Sequence, residues 1–219
     1  MTQENKNRLM LAVTIALFAV TALLLARNEE LIFRDSPEVE VMRDPGDPDT
    51  IVFIWRSEIE APMARRFAEA YGEWRNEGRR ILIDMHSPGG SVKEGDDVIA
   101  VINEMKRTHA VDTRVRARHS CFSMCVPVFL QGERRIAGAD AVFMFHEPSA
   151  VDMATGKRVT EPAFERERAT RRFFERYFVA SPMDAAWRDR LAVEWKGRDL
   201  FYTARDLVKQ NANVVTEIE

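Results

Sequence analysis

The sequence predicts an α/β fold with a parallel sheet core, preceded by one N-terminal transmembrane helix. Three observations lead there. From Ile51 onward, short apolar runs of strand length alternate with stretches of helical period. The residues best suited to chemistry fall where those apolar runs end, the usual place for a site in an open α/β sheet. Ahead of all this, Leu9 to Ala26 form an uncharged apolar run, LMLAVTIALFAVTALLLA.

The chain has 219 residues, 46% of them hydrophobic, enough to bury one full core once the N-terminal segment is set apart. Residues 1–8 read as a short tail in which Lys6 and Arg8 form a positive flank. Residues 9–26 would span roughly 27 Å as a helix at about 1.5 Å per residue, just enough for a thin bilayer. No small-x-small cleavage pattern follows, so the run is expected as an uncleaved signal anchor, with a cytoplasmic N-terminus and a periplasmic or otherwise extracytoplasmic domain. Residues 27–50 carry Pro37, Pro45 and Pro48 and the turn signal DPGDPDT, and are expected as a linker. A formal net charge of −3 with no dominant basic face gives no reason to expect a nucleic-acid partner.

Residues 51–219 are expected to form the catalytic domain. IVFIW (51–55) reads as a strand, 61–76 as a helix carrying Phe67, Ala70, Tyr71 and Trp74, and ILIDM (81–85) as a second strand. Residues 92–106 follow as a helix with Val98, Ile99, Val101, Ile102 and Met105 inward, and 111–117 as a third strand. A short apolar helix opening at Ser123 and a strand at 141–145 complete the series, whose rhythm implies parallel pairing through helical crossovers. Beyond it, EPAFERERATRRFFERYF reads as an amphipathic helix whose Phe173, Phe174, Tyr177 and Phe178 form a buried stripe or, in a sharper reading, a protruding helix of an oligomer. Ser181-Pro182 is expected to open another helix, Thr203 with Asp206 to cap a further one, and the chain to close in a strand near Val214 and Val215.

The chemistry gathers around Ser123 and His146. A hydroxyl is a poor nucleophile at neutral pH and needs a base within hydrogen-bond reach and donors for the oxyanion that forms. Ser123 stands at a strand-to-helix turn, and His146 at the end of the next apolar strand. Upstream, the turn Ser-Pro-Gly-Gly after Met85 leaves amides around Gly89 and Gly90 free to face an anion. Each feature alone has a plainer explanation: a helix cap for Ser123, a satisfied structural imidazole for His146, a common turn for the glycines.

In this order the motifs resemble those of the Clp protease proteolytic subunit and its relatives in the Clp/crotonase fold. The family's SPGG-x-V-x-x-G, A-S-M-G and M-I-H-Q-P read here as SPGGSVKEG, FSMC and MFHEP. The resemblance runs from about Ile51 to the C-terminus. It implies repeated β-β-α/βαβ units around a parallel sheet core, a serine peptidase activity, and Asp199 in GRDLFYTARDL as the carboxylate that orients His146. It also implies the N–H groups of Gly90 and Met124 as oxyanion donors. Gly89, Ser91 and Val92 would contact an extended polypeptide substrate added as a strand near the glycine turn. No metal or organic cofactor is implied. A homo-oligomer is expected, membrane attachment would come through the N-terminal helix, and the membrane segment and linker at the docking end weigh against carrying over the family's ATPase partner.

The sequence departs from the family at Cys125, where a glycine is usual, at Pro127 one turn past Ser123, and in a serine-to-histidine interval two residues shorter. Cys121 and Cys125 are read as two small buried thiols, with a redox switch on the site as the sharper alternative. Three rival functions remain: a crotonase-type acyl-thioester enzyme, an inactive oligomeric scaffold, and a serine-lysine membrane peptidase with Lys93 as the lysine near the turn. His86 and His119 neighbour the motifs without matching a catalytic position, and His109 is read as a surface residue.

Overall fold

The computed structural model describes residues 39–150, 159 and 162–219. Two sheets organise the domain: six strands in the order β1-β2-β3-β4-β6-β9, and three in the order β5-β7-β8. The strands of the large sheet are β1 Val39–Asp44, β2 Asp47–Trp55, β3 Arg80–Met85, β4 Ala110–Val115, β6 Arg135–Ala137 and β9 Glu217–Ile218. Those of the small sheet are β5 Ser120–Phe122, β7 Val142–Phe145 and β8 Leu200–Thr203. The helices are α1 Met63–Trp74, α2 Val92–Met105, α3 Cys125–Phe129, α4 Ala163–Phe174, α5 Ala185–Glu194 and α6 Ala204–Lys209, and a π-helical turn, Glu175–Val179, extends α4.

The expected fold is corrected to a mixed α/β domain. The steps β2-β3, β3-β4, β4-β6, β6-β9 and β5-β7 are parallel, but β1-β2 and β7-β8 are antiparallel, so the sheets are mixed and not the parallel core expected. The physical reason at the first edge is a tight turn at Pro45-Gly46: two residues can reverse a chain but cannot make the crossover that parallel strands need. Residues 39–50, expected as linker, therefore belong to the sheet. No helix among the described residues is long and apolar enough to cross a membrane, and the expected anchor at 9–26 lies outside them.

Central strands are legible because both their faces are covered. From Ile51 to Trp55 in β2 and from Ile81 to Met85 in β3 every residue is buried and all but Asp84 are apolar, the pattern of strands covered on both faces. One face carries Ile51, Phe53, Trp55, Ile81 and Ile83 against α1 and α2, where Phe67 stacks on Phe53 at 5.9 Å and meets Trp55 edge-on at 5.9 Å. On the opposite face Val52, Ile54, Leu82 and Ile136 form a smaller cluster. Beside it Asp84 is buried under Arg114 at 2.8 Å and Arg116 at 2.5 Å, both on Oδ2, which pairs its charge while Oδ1 has no hydrogen-bond partner among the described residues.

The aromatic stripe of α4 is spent inside the domain. Phe173, Tyr177 and Phe178 are buried, Phe178 lies 5.8 Å from Phe145 and 5.7 Å from Trp195, and Phe174 lies 5.1 Å from Trp195. By contrast every residue from Ala163 to Ala169 is exposed, so the first two turns of α4 stand clear of the core. Helix α5 begins at an Asp184 cap whose side chain accepts the Trp187 N–H, not at Ser181-Pro182. The box of Thr203 and Asp206 caps α6 as read from sequence. The last strand falls two residues beyond the expected position.

Because Phe178 bridges β7, α4 and α5, Phe178→Ala is expected to cost about 3–5 kcal/mol, read as a lowered urea midpoint.

Candidate active site

Strand β3 does not end the sheet's business at Met85. Its continuation pairs with β5: Ser87 N–H donates to the Ser120 carbonyl at 2.9 Å, and Phe122 N–H donates to the Ser87 carbonyl at 3.0 Å. The glycine turn is thereby tied to the strand that carries Ser123. Gly89 and Gly90 have φ of +94° and +145°, values that favour glycine. A Cβ on Gly89 would sit 2.6 Å from the Phe122 oxygen, 2.7 Å from Ser123 Cβ and 3.1 Å from the Met124 nitrogen. Only an absent side chain allows the two turns to touch.

Most polar groups of the glycine turn are already engaged. Gly89 N–H donates to Ser87 Oγ at 3.1 Å, Ile59 N–H to the Gly89 carbonyl at 2.7 Å, and Ser91 N–H to the Ile59 carbonyl at 2.8 Å. The Ser91 side chain caps α2 by accepting the Glu94 N–H at 3.3 Å, and Val92 is exposed on the first turn. Among the described residues no acceptor receives the N–H of Gly90 or of Met124. Those are the two amides the motifs single out, whereas Gly89 and Ser91 have spent theirs on the turn. One edge of this turn is also closed by Ile59, so a substrate strand cannot pair there.

Ser123 follows β5 with φ of +54°, in the left-handed region that a non-glycine residue rarely occupies. Its N–H donates to the Met144 carbonyl at 2.9 Å and its carbonyl accepts from Val126 at 3.0 Å. The turn presents Ser123 Oγ 2.6 Å from Nε2 of His146, which follows β7 directly. With the imidazole neutral and Nε2 bare, the hydroxyl donates in this pair, the arrangement a general base requires.

Asp199 lies on the turn between α5 and β8, on the Nδ1 side of His146, at 3.8 Å. That exceeds hydrogen-bond distance, and the Asp199 side chain is 57% exposed against 17% for His146. The three residues meet in one place, but the carboxylate is not the buried, bonded group that was expected. Beyond His146 and Asp199 a cleft of about 1000 Å³ opens, lined also by Glu147, Thr170, Phe174 and Trp195.

The cysteines correct the sequence reading. Cys121 and Cys125 form a disulfide, with Cα atoms 5.2 Å apart, inside the window that such a bond needs. The left-handed residue between them folds the strand end back toward the helix start. Lys93 donates to Asp97 at 2.6 Å on the exposed first turns of α2, and this hydrogen bond moves its pKa up, the direction opposite to that which a general base needs. His86 accepts the Ser120 N–H at 2.9 Å and stacks on His119 at 4.7 Å; burial, then the neighbouring His86, lowers the His119 pKa. His109 is half-buried and bonded to the Arg75 carbonyl at 2.8 Å, a structural contact between α1 and the end of α2.

Sequence reasoning missed the roles of four supports. Ser87 and Ile59 hold the glycine turn; Ser87 opens the SPGG motif itself, whereas nothing in the local pattern marks Ile59. Gly95, the last glycine of SPGGSVKEG, admits the Met124 side chain, since a Cβ there would lie 2.5 Å from two of its atoms. Glu147 Oε2 accepts the Gly197 N–H at 2.8 Å, holding the turn that carries Asp199 against the residue after the histidine. No protein-family model and no curated protein matches the chain.

Gly89→Ala is expected to destabilise the domain by about 2 kcal/mol or more, since the new Cβ strikes backbone as well as adopting an unfavourable φ. Urea midpoints of the variant and the parent provide the check.

Proposed function

We propose that this chain is a serine hydrolase that cleaves peptide bonds. The observation that carries the reading is the 2.6 Å approach of Ser123 Oγ to His146 Nε2, made by a serine held in a left-handed turn. Ser123 attacks the scissile carbonyl as His146 takes its proton. The N–H groups of Gly90 and Met124 receive the oxyanion, and His146 returns the proton to the leaving amine. The order of the glycine turn, FSMC and MFHEP, similar to the Clp proteolytic subunit, supports a polypeptide substrate. A disulfide beside the nucleophile supports an extracytoplasmic setting, where such bonds persist. Exposure of Phe164 at 69% on the projecting end of α4 supports assembly with further copies of the chain.

A second reading, an inactive scaffold of the same architecture, draws on Asp199. A carboxylate 3.8 Å from Nδ1 and more than half exposed orients an imidazole weakly. The two readings part at Ser123. With a fluorophosphonate probe, the parent is expected to label at one site and Ser123→Ala not at all, with unchanged circular dichroism; an unlabelled parent supports the scaffold.

Asp199→Asn is expected to slow acylation by roughly 10- to 100-fold, well short of the about 10⁴-fold loss seen when a buried, bonded triad carboxylate is replaced. Pseudo-first-order labelling rates measure the difference.

A further inference from the structure

The nucleophile sits inside a small covalent ring. Cys121 is the middle residue of β5, Cys125 is the first residue of α3, and their bond closes the chain around Phe122, Ser123 and Met124. Hydrogen bonding alone specifies this segment thinly. Helix α3 has five residues, and Pro127 within it has no N–H to return to the Ser123 carbonyl, which is held by Val126 alone. A non-glycine residue at φ of +54° persists only where its surroundings over-determine it. Both sulfurs are buried and rest on Met85 Sδ, Cys125 at 3.6 Å and Cys121 at 4.0 Å, just where β3 passes into the glycine turn. The ring is thus seated on the strand that delivers the other amide.

We infer that the Cys121–Cys125 disulfide is a positioning element of the site: it holds Ser123 in its left-handed conformation and keeps the Met124 N–H beside Gly90, so acylation is fast only in the oxidised protein. The inference rests on the hydrolase reading. Opening the bond leaves the sheets and the aromatic core in place, because the bond spans only four residues and the strand pairing of Cys121 with Phe143 and Ser87 runs through the backbone. What is lost is the registration of the hydroxyl and the amide, and with it transition-state stabilisation more than ground-state binding.

The full chain is reduced with a water-soluble phosphine. The disulfide gains two electrons and two protons to become two thiols, while the phosphine takes an oxygen atom from water. Alkylation and mass spectrometry define the point at which each chain carries two thiols. Fluorophosphonate labelling and p-nitrophenyl acetate turnover are then compared between the oxidised parent, the reduced parent and the variant C121A/C125A, with circular dichroism on each. The expected result is a 10- to 100-fold fall in labelling rate and in kcat, little change in KM, a retained fold, and recovery of the reduced parent on reoxidation by oxidised glutathione. Folded reduced protein that labels at the parent rate overturns the inference. So does unfolding of both reduced parent and variant, which makes the bond a staple of the whole domain. An oxidised parent that never labels refutes the hydrolase reading instead, a distinct outcome.

Discussion

Two turns touch backbone to backbone, and the site exists because they do. Gly89 lies against Phe122, Ser123 and Met124 more closely than any side chain would permit. The pairing of Ser87 with β5 brings those turns into register. Each partner is supplied by a different sheet, so the contact also joins the six-stranded layer to the three-stranded one. Remove the closeness, and the nucleophile, the Met124 amide and the Gly90 amide no longer share a neighbourhood.

Around that contact the domain spends its apolar surface on rigidity. Trp195, just past α5, packs on Phe174 and Phe178 of α4 and its π-helical extension, and Phe145 of β7 lies between Phe178 and Trp187 of α5. Since His146 is the next residue, the base is anchored by a ring cluster rather than by a loop. The buried pair of Asp84 with Arg114 and Arg116 does comparable service on the outer face of the large sheet, where no apolar side chain continues the row. Charges buried this way gain little net stability, yet they fix which strand neighbours which.

Much of this was legible in the chain itself. Strands β2 and β3 announce themselves because residues covered on both faces leave an unbroken apolar run, and α1 and α2 because one face is buried at helical spacing. His146 was readable at the end of the apolar run 141–145, and Ser123 through the FSMC motif rather than through any period. What escaped notice has physical causes. Strand β5 is three residues long, too short to show any period, and is held by Ser87 from far away in sequence. Strand β1 was hidden by the prolines and glycine of its turn. The disulfide depends on a positive φ at Ser123 that residue identity does not advertise. The separation between His146 and Asp199 depends on where the α5–β8 turn settles, which tertiary contacts such as that of Glu147 with Gly197 decide.

The exposure of Asp199 ties the imidazole to the medium outside the protein. A carboxylate enclosed by apolar walls acts on its neighbour undiminished, but one bathed in electrolyte shares its field with mobile counter-ions, whose screening reaches about 8 Å at physiological ionic strength. The pull that Asp199 exerts across 3.8 Å on the ring of residue 146 therefore fades as the surrounding electrolyte grows more concentrated.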